Sequence, residues 1–465
     1  MQTGDVLDCG LMSAFFLLPA LISVYLVIRG RIETAFLSVY LPCLLLLPDE
    51  FALRLPHAPP ISAAHGALIP IGIVALYRLA RSGLPSIMDV LLVLSMISTF
   101  ATEVLRERVM NDGILSAMTS FIAVFLAYAV GRKIVEPGLR FETIRRWVIL
   151  VLLLGIPGLV EWRLGQSVFG IVGERVFKIA VVPMVQIRSG HGRMEVSLSD
   201  AELAGIVFGM TLSLNAWLLY LNKAGTRANF GRVFAMLEKY HLPSMLLFVY
   251  VLLTQSRGPL IAVGAAFLVL QIVRFKNTKL ATFVVAAILA TGAYGAKVYL
   301  SRYTDVADPS AITDERQGSA IYRRQMNEIY KPIVAAGGFL GWGVLSRPVL
   351  QGQFSIDNEF LLIHLCYGDF GYFVYVLIAA ENIRRLVVRS WSLKSPEDRA
   401  FAICMLGAMT VFWVSVTTVF MGNQLPQIAF LLIGWSESIV PGTIDPVAIA
   451  KNAERPKFVF KRVLT

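Results

Sequence analysis

The chain has 465 residues, of which 56% are hydrophobic and only 16% are charged, and its mean hydropathy is +0.68. This composition excludes a chain that folds as one or two soluble domains, and it predicts an all-α, polytopic integral membrane protein. The formal net charge of +11 needs no nucleic-acid partner, because basic residues concentrate in the cytoplasmic loops of such proteins.

Thirteen apolar stretches of the sequence are long enough to cross, or nearly cross, about 30 Å of hydrocarbon at about 1.5 Å per residue. The second, eighth and last are short, so we expect about 12 to 14 transmembrane helices. The stretches begin near residues 11, 34, 61, 86, 113, 146, 201, 242, 259, 279, 358, 400 and 424.

The basic residues predict which side of the membrane each connection faces. If the connections alternate, one side receives 26 of the 42 Lys and Arg residues and the other receives 16. The richer side is assigned to the cytoplasm, which puts the N-terminus outside and the C-terminus inside.

This topology divides the chain into six segments. They are N-terminal transmembrane helices (1–160), an external loop (161–200), transmembrane helices with a Ser-Arg-Gly turn (201–298), a large external loop (299–357), C-terminal transmembrane helices (358–440) and a basic cytoplasmic tail (441–465). The large loop lies between the tenth and eleventh helices, and loops of this length usually carry function.

The stretch "LLTQSRGPLIAVG" (252–264) places Arg257 between two apolar runs. Because the preceding run is short, we expect the turn at Ser256, Arg257 and Gly258 to lie below the outer lipid surface, facing protein or a wet cavity. Pro259 fits the first position of the next helix, whose amides and dipole would join the guanidinium in binding an oxyanion or phosphate. The alternative is a helical hairpin whose arginine extends to the lipid headgroups.

A second polar segment begins where the large loop enters a helix, at Asp357 and Asn358. His364 lies seven residues beyond Asp357, on the same helical face, and Asp369 follows inside the apolar run. A face with these residues is unsuited to lipid, so Asp357 or His364 is a candidate general base. Alternatively, Asp357 is only the helix N-cap and His364 is a hydrogen-bonded packing residue.

The cysteines and histidines show no spacing typical of a disulfide framework or a metal site. The four cysteines are scattered singly, and there are five histidines. We therefore expect no bound metal and no cofactor.

The stretch "LLTQSRGPLIAVGAAFLVLQIV", and later "YRRQMNEIYKPIVAAGGFLGWGV" followed by "DNEFLLIHLCYGDFGYFVYVLI", resemble the signatures of the O-antigen polymerase and ligase superfamily, the bacterial Wzy- and WaaL-type proteins. The resemblance covers roughly residues 250 to 380. It implies a metal-independent membrane glycosyltransferase that uses glycans carried by undecaprenyl pyrophosphate at the periplasmic face of the bacterial inner membrane. The loop 299–357 would then be periplasmic.

The resemblance also implies roles for individual residues. Arg257 would hold the pyrophosphate, with Arg316 or Arg323 of the large loop as its partner, and Asn358 matches the family asparagine. Asp357 stands where ligases of the family commonly have histidine, which favours a polymerase over a lipid A ligase.

Glycosyl transfer from a lipid pyrophosphate needs the charge of the leaving group to be stabilised, which arginines and helix amides can do. It also needs a base for the acceptor hydroxyl, for which Asp357 is the first choice and His364 the second. We therefore expect a repeat-unit polymerase of O-antigen or exopolysaccharide, associated with a flippase and a chain-length regulator. The alternatives are an O-antigen ligase acting on lipid A core or protein, and a transporter or flippase for an anionic substrate; no second copy of the Ser-Arg-Gly turn supports a transporter repeat.

Overall fold

The computed structural model describes residues 15–53, 59–106, 110–177, 184–223, 236–237, 241–305, 315–350 and 355–439. These residues form fifteen α-helices and two short antiparallel hairpins. The predicted all-α architecture is therefore confirmed.

The first 175 residues of the chain contain seven of these helices. Their bounds are Leu18–Ile28 (α1), Ile32–Leu46 (α2), Ala63–Ala80 (α3), Ile87–Arg106 (α4), 110–133 (α5), Arg140–Leu164 (α6) and Val168–Arg175 (α7). The helices α2 and α5 each continue through an internal π-helical turn, at Phe36–Tyr40 and Phe121–Leu126. The hairpins pair Ala52–Leu53 (β1) with Ile61–Ser62 (β2), and Ile187–Arg188 (β3) with His191–Gly192 (β4).

The chain from residue 201 onwards contains the other eight helices. Their bounds are Ala201–Lys223 (α8), Leu242–Leu253 (α9), Arg257–Gln271 (α10), Thr278–Tyr303 (α11), Glu315–Gly337 (α12), Glu359–Ser392 (α13), Pro396–Ser415 (α14) and Leu425–Glu437 (α15). Each of the thirteen predicted apolar stretches coincides with one of the fifteen helices.

Nine helices of the described ranges are long and apolar enough to cross a membrane, and three further apolar helices are shorter. The shorter ones are α1, α2 and α9, which agrees with the predicted shortness of the second and eighth stretches. The chain is thus a polytopic membrane protein.

The centre of the bundle is formed by α8 and α14. In their most apolar windows 78% and 83% of the residues are buried, whereas the figure for α11 is 6%. Polar side chains in this centre bond to one another, as they must where water is absent. The indole nitrogen of Trp413 donates to Asn382 Oδ1 over 3.1 Å, and Asn382 Nδ2 donates to Ser436 Oγ over 3.0 Å.

The helices define two ends of the bundle. At one end, which we call the Ser256 end, α8, α10 and α13 begin. At the other, which we call the Arg140 end, α6 and α14 begin and α13 and α15 finish. The buried ion pair between Arg140 and Asp398, with 2.9 Å between NH1 and Oδ1, joins the first turns of α6 and α14.

The helix α13 is broken at Gly368, which has φ 63° and ψ −165°. The segment after α12 fills the break: Trp342 N donates to Leu365 O over 3.0 Å, and Asp369 N donates to Gly338 O over 3.2 Å. A side chain on Gly341 would lie only 2.4 Å from Gly368 N. Glycine at both positions therefore allows the two backbones to meet.

Both predicted external loops contain regular structure. The segment 161–200 includes the end of α6, α7 and the β3–β4 hairpin, and the segment 299–357 includes the end of α11 and the whole of α12. The predicted cytoplasmic tail, 441–465, lies outside the described residues.

Candidate functional site

The turn before α10 differs in one detail from the prediction. The helix begins at Arg257, with Ser256 at the N-cap, so Pro259 is its third residue and not its first. Because amides of the first turn have no acceptor inside a helix, a proline there removes no helical hydrogen bond. Gln255, just before the cap, has a φ of 52°. The predicted helix terminus is present, shifted by two residues.

Two arginines from the loop 161–200 hold this turn. Arg193 donates from Nε to the carbonyl of Thr254 over 3.1 Å and from NH2 to Ser256 Oγ over 2.7 Å. Arg188 NH1 donates to the carbonyl of Gln255 over 2.9 Å. The hydroxyl of Ser256 is buried, and it also donates to the Thr254 carbonyl over 3.2 Å. Ser256, predicted to bind substrate, is thus bonded within the protein.

The buried carboxylate of Glu161, near the end of α6, binds the segment that follows Arg193. Its Oε2 accepts from the amides of Glu195 over 3.0 Å and of Val196 over 2.8 Å.

The carboxyl group of Glu195 itself has a raised pKa of about 7. Burial is the largest cause, and the nearby charges of Asp200 and Glu161 also raise the pKa. The loop beside the turn therefore contains an acid that titrates near neutral pH.

Glu202, in the first turn of α8, brings further predicted residues to the turn. Its Oε1 lies 3.9 Å from Arg193 NH2 and 3.5 Å from Arg323 NH2. The carboxylates of Asp200 and Asp357 are close enough to interact electrostatically with it. Arg323 and Asp357, 34 positions apart in the sequence, thus both lie near Glu202, whose carboxylate is 3.9 Å from the arginine that bonds to the turn.

A cavity of about 300 Å³ opens at this turn. Its lining includes Arg188, Ser189, Gln255, Ser256, Arg257 and Leu260. Arg257 is exposed, so its guanidinium is accessible to a ligand. We call this the arginine cavity. The predicted cavity at the Ser-Arg-Gly turn is therefore present.

The start of α13 approaches the turn through the segment 416–421, which follows α14. An ideal Cβ on Gly258 would lie 2.6 Å from Thr418 Oγ1. The amide of Glu359 donates to the carbonyl of Val416 over 3.0 Å, and Glu359 Oε2 accepts from Met421 N over 2.7 Å. Gly258 thus gives Thr418 room beside α10.

The N-cap of α13 is Asn358, whose side chain accepts from the amide of Leu361 over 3.2 Å. The carboxylate of Asp357 instead accepts a hydrogen bond from the hydroxyl of Ser355. The alternative interpretation, in which Asp357 is the helix N-cap, is therefore wrong, because Asn358 is the N-cap. The Asp357 carboxylate is partly exposed and lies beside the cap.

His364 is paired with a different acid. Its Nε2 lies 2.8 Å from Asp369 Oδ1, and its ring stacks on Tyr372 with 4.4 Å between centroids. Within the described ranges it therefore contacts residues further along α13. Arg316 belongs to α12, but its side chain is outside the described part of the structure. Of the two predicted loop arginines, Arg323 is the one whose contacts are known.

Sequence reasoning missed the roles of Arg188, Arg193 and Glu202. From sequence, the two arginines belong only to a group of basic residues in a predicted external loop that would either be solvated or attract an anion, and Glu202 carried no signal apart from being an acid at a helix start. Their roles arise from tertiary contacts, so only pairing between distant segments could have revealed them.

Residues 242–376 match the family model Wzy_C, which is described as O-antigen ligase. The matched segment runs from the start of α9 into α13 and includes Arg257, Arg323 and Asp357. It is consistent with the O-antigen polymerase and ligase superfamily, so the predicted resemblance is confirmed. No curated protein matches the chain.

Proposed function

We propose that this membrane protein, because it carries an O-antigen ligase domain, is a polymerase that joins glycan repeat units. The donor glycan is carried by undecaprenyl pyrophosphate, and the reaction takes place at the Ser256 end, on the periplasmic face of the bacterial inner membrane. The observation that carries the proposal is the arginine cavity at a turn bonded to Arg193, with Arg323 and Asp357 both near Glu202, which lies 3.9 Å from Arg193.

The arginine cavity suits a pyrophosphate. The exposed Arg257 and the amides of the first turn of α10 would contact the phosphate oxygens, since helix N-termini and guanidinium groups both bind such anions. Arg323 is the second arginine of the site, and Gly258 and Asn358 lie at its edge. Donors fixed in advance stabilise the charge that develops on the leaving group.

Asp357 is the proposed general base. An acceptor hydroxyl oxygen forms a bond to the anomeric carbon of the donor sugar while its proton passes to the Asp357 carboxylate. The bond between that carbon and the pyrophosphate oxygen breaks, and the pyrophosphate leaves with the electron pair. A base within hydrogen-bond reach of the hydroxyl contributes about 10²- to 10⁴-fold to such a step. His364, paired with Asp369, is the second candidate.

In the proposed reaction the protein's own side chains supply the stabilising positive charges. We therefore predict that glycan transfer needs no metal ion. This prediction is checked by measuring transfer after exhaustive treatment with EDTA, where an unchanged rate is expected. In the cell, we expect a flippase to supply the donor and a chain-length regulator to act with the polymerase.

A ligase is the second candidate, because the matched family is described by that activity. A ligase would pass the finished glycan to lipid A core or to a protein. Asp357 in place of the usual ligase histidine favours the polymerase. The products distinguish the two: a polymerase lengthens lipid-linked glycan in vesicles that contain no other acceptor, whereas a ligase leaves its length unchanged.

The direct test is Arg257→Ala in proteoliposomes supplied with lipid-pyrophosphate-linked repeat units. We expect the rate of chain lengthening to fall about 10²- to 10³-fold, as on loss of one preorganised donor, with little change in thermal unfolding. Arg274→Ala, which changes an exposed arginine at the opposite end of the same helical segment, is the matched control. Undiminished lengthening by Arg257→Ala would overturn the proposal.

A further inference from the structure

A second cavity, of about 260 Å³, is lined by Glu359 of the first turn of α13. Its other walls come from α3, α4, α5, α15 and the segment that leads into α15, with His65 the one basic side chain among the described lining residues. The residues that characterise it are Asp49, Ser98, Thr99, Glu359, Tyr367 and Tyr375. We call it the acidic cavity. At about 30 Å³ per liquid water, it is much larger than a site for one or two waters.

The two cavities differ in charge. The acidic cavity is lined by the carboxyl groups of Asp49 and Glu359, and its described lining contains neither Lys nor Arg. The arginine cavity is lined by Arg188 and Arg257. A pyrophosphate is therefore repelled from the first cavity and attracted to the second. Carboxylates and hydroxyls suit the hydroxyl groups of a sugar, which donate and accept hydrogen bonds.

Two hydroxyls of the acidic cavity have no partner among the described residues. Ser98 is 2% exposed and Tyr375 is 4% exposed, yet neither Ser98 Oγ nor Tyr375 Oη makes a hydrogen bond within these ranges. Buried polar groups nearly always have a partner. Both residues line the acidic cavity, so a polar ligand bound there would supply the missing partners. The carboxyl oxygen Asp49 Oδ1 lies 3.8 Å from His65 Nδ1, also in the lining.

The segment 416–421 contacts residues at both cavities. The hydroxyl of Thr418 lies beside Gly258, which follows Arg257 of the arginine cavity. The amide of Met421 donates to Glu359, which lines the acidic cavity. Asp357 precedes Glu359 by two residues in the chain.

The helix α5 also departs from regular geometry at this cavity. Its π-helical turn Phe121–Leu126 contributes Ala123 and Val124 to the lining. Such turns occur frequently at functional sites. This gives an independent indication that the cavity has a role in binding.

We propose that the acidic cavity binds a sugar of the acceptor glycan, one that is neutral or carries an amino group. This inference rests on the proposed function and assigns the acceptor to a place distinct from the donor. The donor pyrophosphate occupies the arginine cavity, the acceptor sugar occupies the acidic cavity, and the base is Asp357, two residues before the Glu359 that lines the acidic cavity.

The partnerless hydroxyls allow a clean kinetic test. Ser98→Ala and Tyr375→Phe remove groups without breaking any described hydrogen bond, so a purely structural role predicts no effect. We expect each to raise the KM for acceptor glycan about three- to tenfold, the effect of losing about one hydrogen bond, while kcat and the KM for donor stay unchanged. The acceptor in these assays is the organism's own repeat-unit glycan, released from its lipid carrier. Its concentration is varied while the concentration of lipid-linked donor is held fixed.

Matched controls exist elsewhere in the bundle. Ser23 Oγ and Tyr40 Oη are also buried without a described partner, and neither residue lines the acidic cavity. Ser23→Ala and Tyr40→Phe should leave the acceptor KM unchanged. If the cavity variants behave like these controls while Arg257→Ala stops transfer, the acceptor assignment is wrong and the proposed function stands. If the unsubstituted chain transfers no glycan, the proposed function itself is wrong.

A binding measurement needs no turnover. Ser98→Cys should react with a small thiol reagent, above the background of the unsubstituted chain, and acceptor glycan should slow that reaction. Undecaprenyl pyrophosphate alone should not slow it. Protection by undecaprenyl pyrophosphate would show that the cavity serves the donor, and no protection by either would show that it holds water only; both results overturn the proposal.

Discussion

The two ends of the bundle use arginine in opposite ways. At the Arg140 end, the arginines bond to buried acids or to carbonyls at the end of a helix. Arg140 bonds to Asp398, Arg132 bonds to Asp89, and Arg389 bonds to the carbonyls of Ser436 and Glu437 at the end of α15. At the Ser256 end, Arg193 and Arg323 approach one carboxylate, that of Glu202, and Arg193 and Arg188 also donate to the turn before α10. Two further arginines, Arg188 and Arg257, line a cavity.

The difference shows how one residue type serves structure and ligand binding in the same fold. An arginine with its own buried acid contributes to the packing of helices, because removing either member leaves an uncompensated charge. Arginines that line a cavity, as Arg188 and Arg257 do, contribute a positive potential there that attracts anions. Substitutions at the first end should therefore affect folding, and substitutions at the second should affect transfer.

The largest effect is expected at the Ser256 end, from Asp357→Asn. Loss of the base should lower kcat about 10²- to 10⁴-fold without changing thermal unfolding, because Asn358 and not Asp357 caps α13. Steady-state lengthening assays in proteoliposomes measure the rate. Asp305→Asn, at the end of α11, is the control, and near-normal turnover by Asp357→Asn would remove Asp357 from the mechanism.

The next effect is expected at the Arg140 end, from Arg140→Met. It leaves Asp398 buried without its partner and should destabilise the protein by about 3–5 kcal/mol. Thermal unfolding in detergent measures this loss. The double variant Arg140→Met with Asp398→Leu should recover most of it, because a buried pair replaced by apolar residues is often neutral. A lower transfer rate per folded molecule would contradict the division between the two ends.

A smaller effect is expected from Arg323→Ala. The variant loses the proposed hydrogen bond from Arg323 to the charged pyrophosphate, which is worth about 1.5–3 kcal/mol. This loss corresponds to a fall in kcat/KM of about ten- to a hundredfold. The neighbouring Arg324, which bonds to Thr304 over 3.2 Å, provides the matched variant Arg324→Ala. Equal losses in both variants would mean that α12 contributes only general positive charge.

The smallest effect is a pH dependence at the Ser256 end. Because the pKa of Glu195 is raised to about 7, the folded protein holds this proton more tightly than the unfolded chain. The contribution of Glu195 to stability is therefore full at low pH and is lost as the pH rises to about 7. Glu195→Gln should reduce the pH dependence of the thermal unfolding temperature below about pH 7, whereas Glu174→Gln, on α7, should leave that dependence unchanged.

The sequence was sufficient to predict most of the fold. Length and hydropathy alone identify thirteen helices, since the thickness of the bilayer determines how long an apolar run must be. The break at Gly368 was not predicted, because its cause is a segment 27 residues earlier, around Gly341, that bonds to the exposed backbone.

The site was predictable only where local sequence contains the signal. The helix start beside Arg257 follows from its own neighbours, whereas Glu202 depends on contacts with two distant arginines. The pairing of His364 with Asp369 also depends on tertiary structure. Residues five apart do not face each other on a regular helix, and the break at Gly368 changes their relative direction.

The backbone bonds that fill the break in α13 have a mechanical consequence. They fasten the end of α12 to the first half of α13, with Trp342 N bonded to Leu365 O and Gly343 N bonded to Cys366 O. The segments that carry Arg323 and Asp357 are thereby joined by backbone hydrogen bonds. If Arg323 binds the leaving group and Asp357 is the base, as we propose, a movement of α12 that changes the contact with the leaving group also shifts the base.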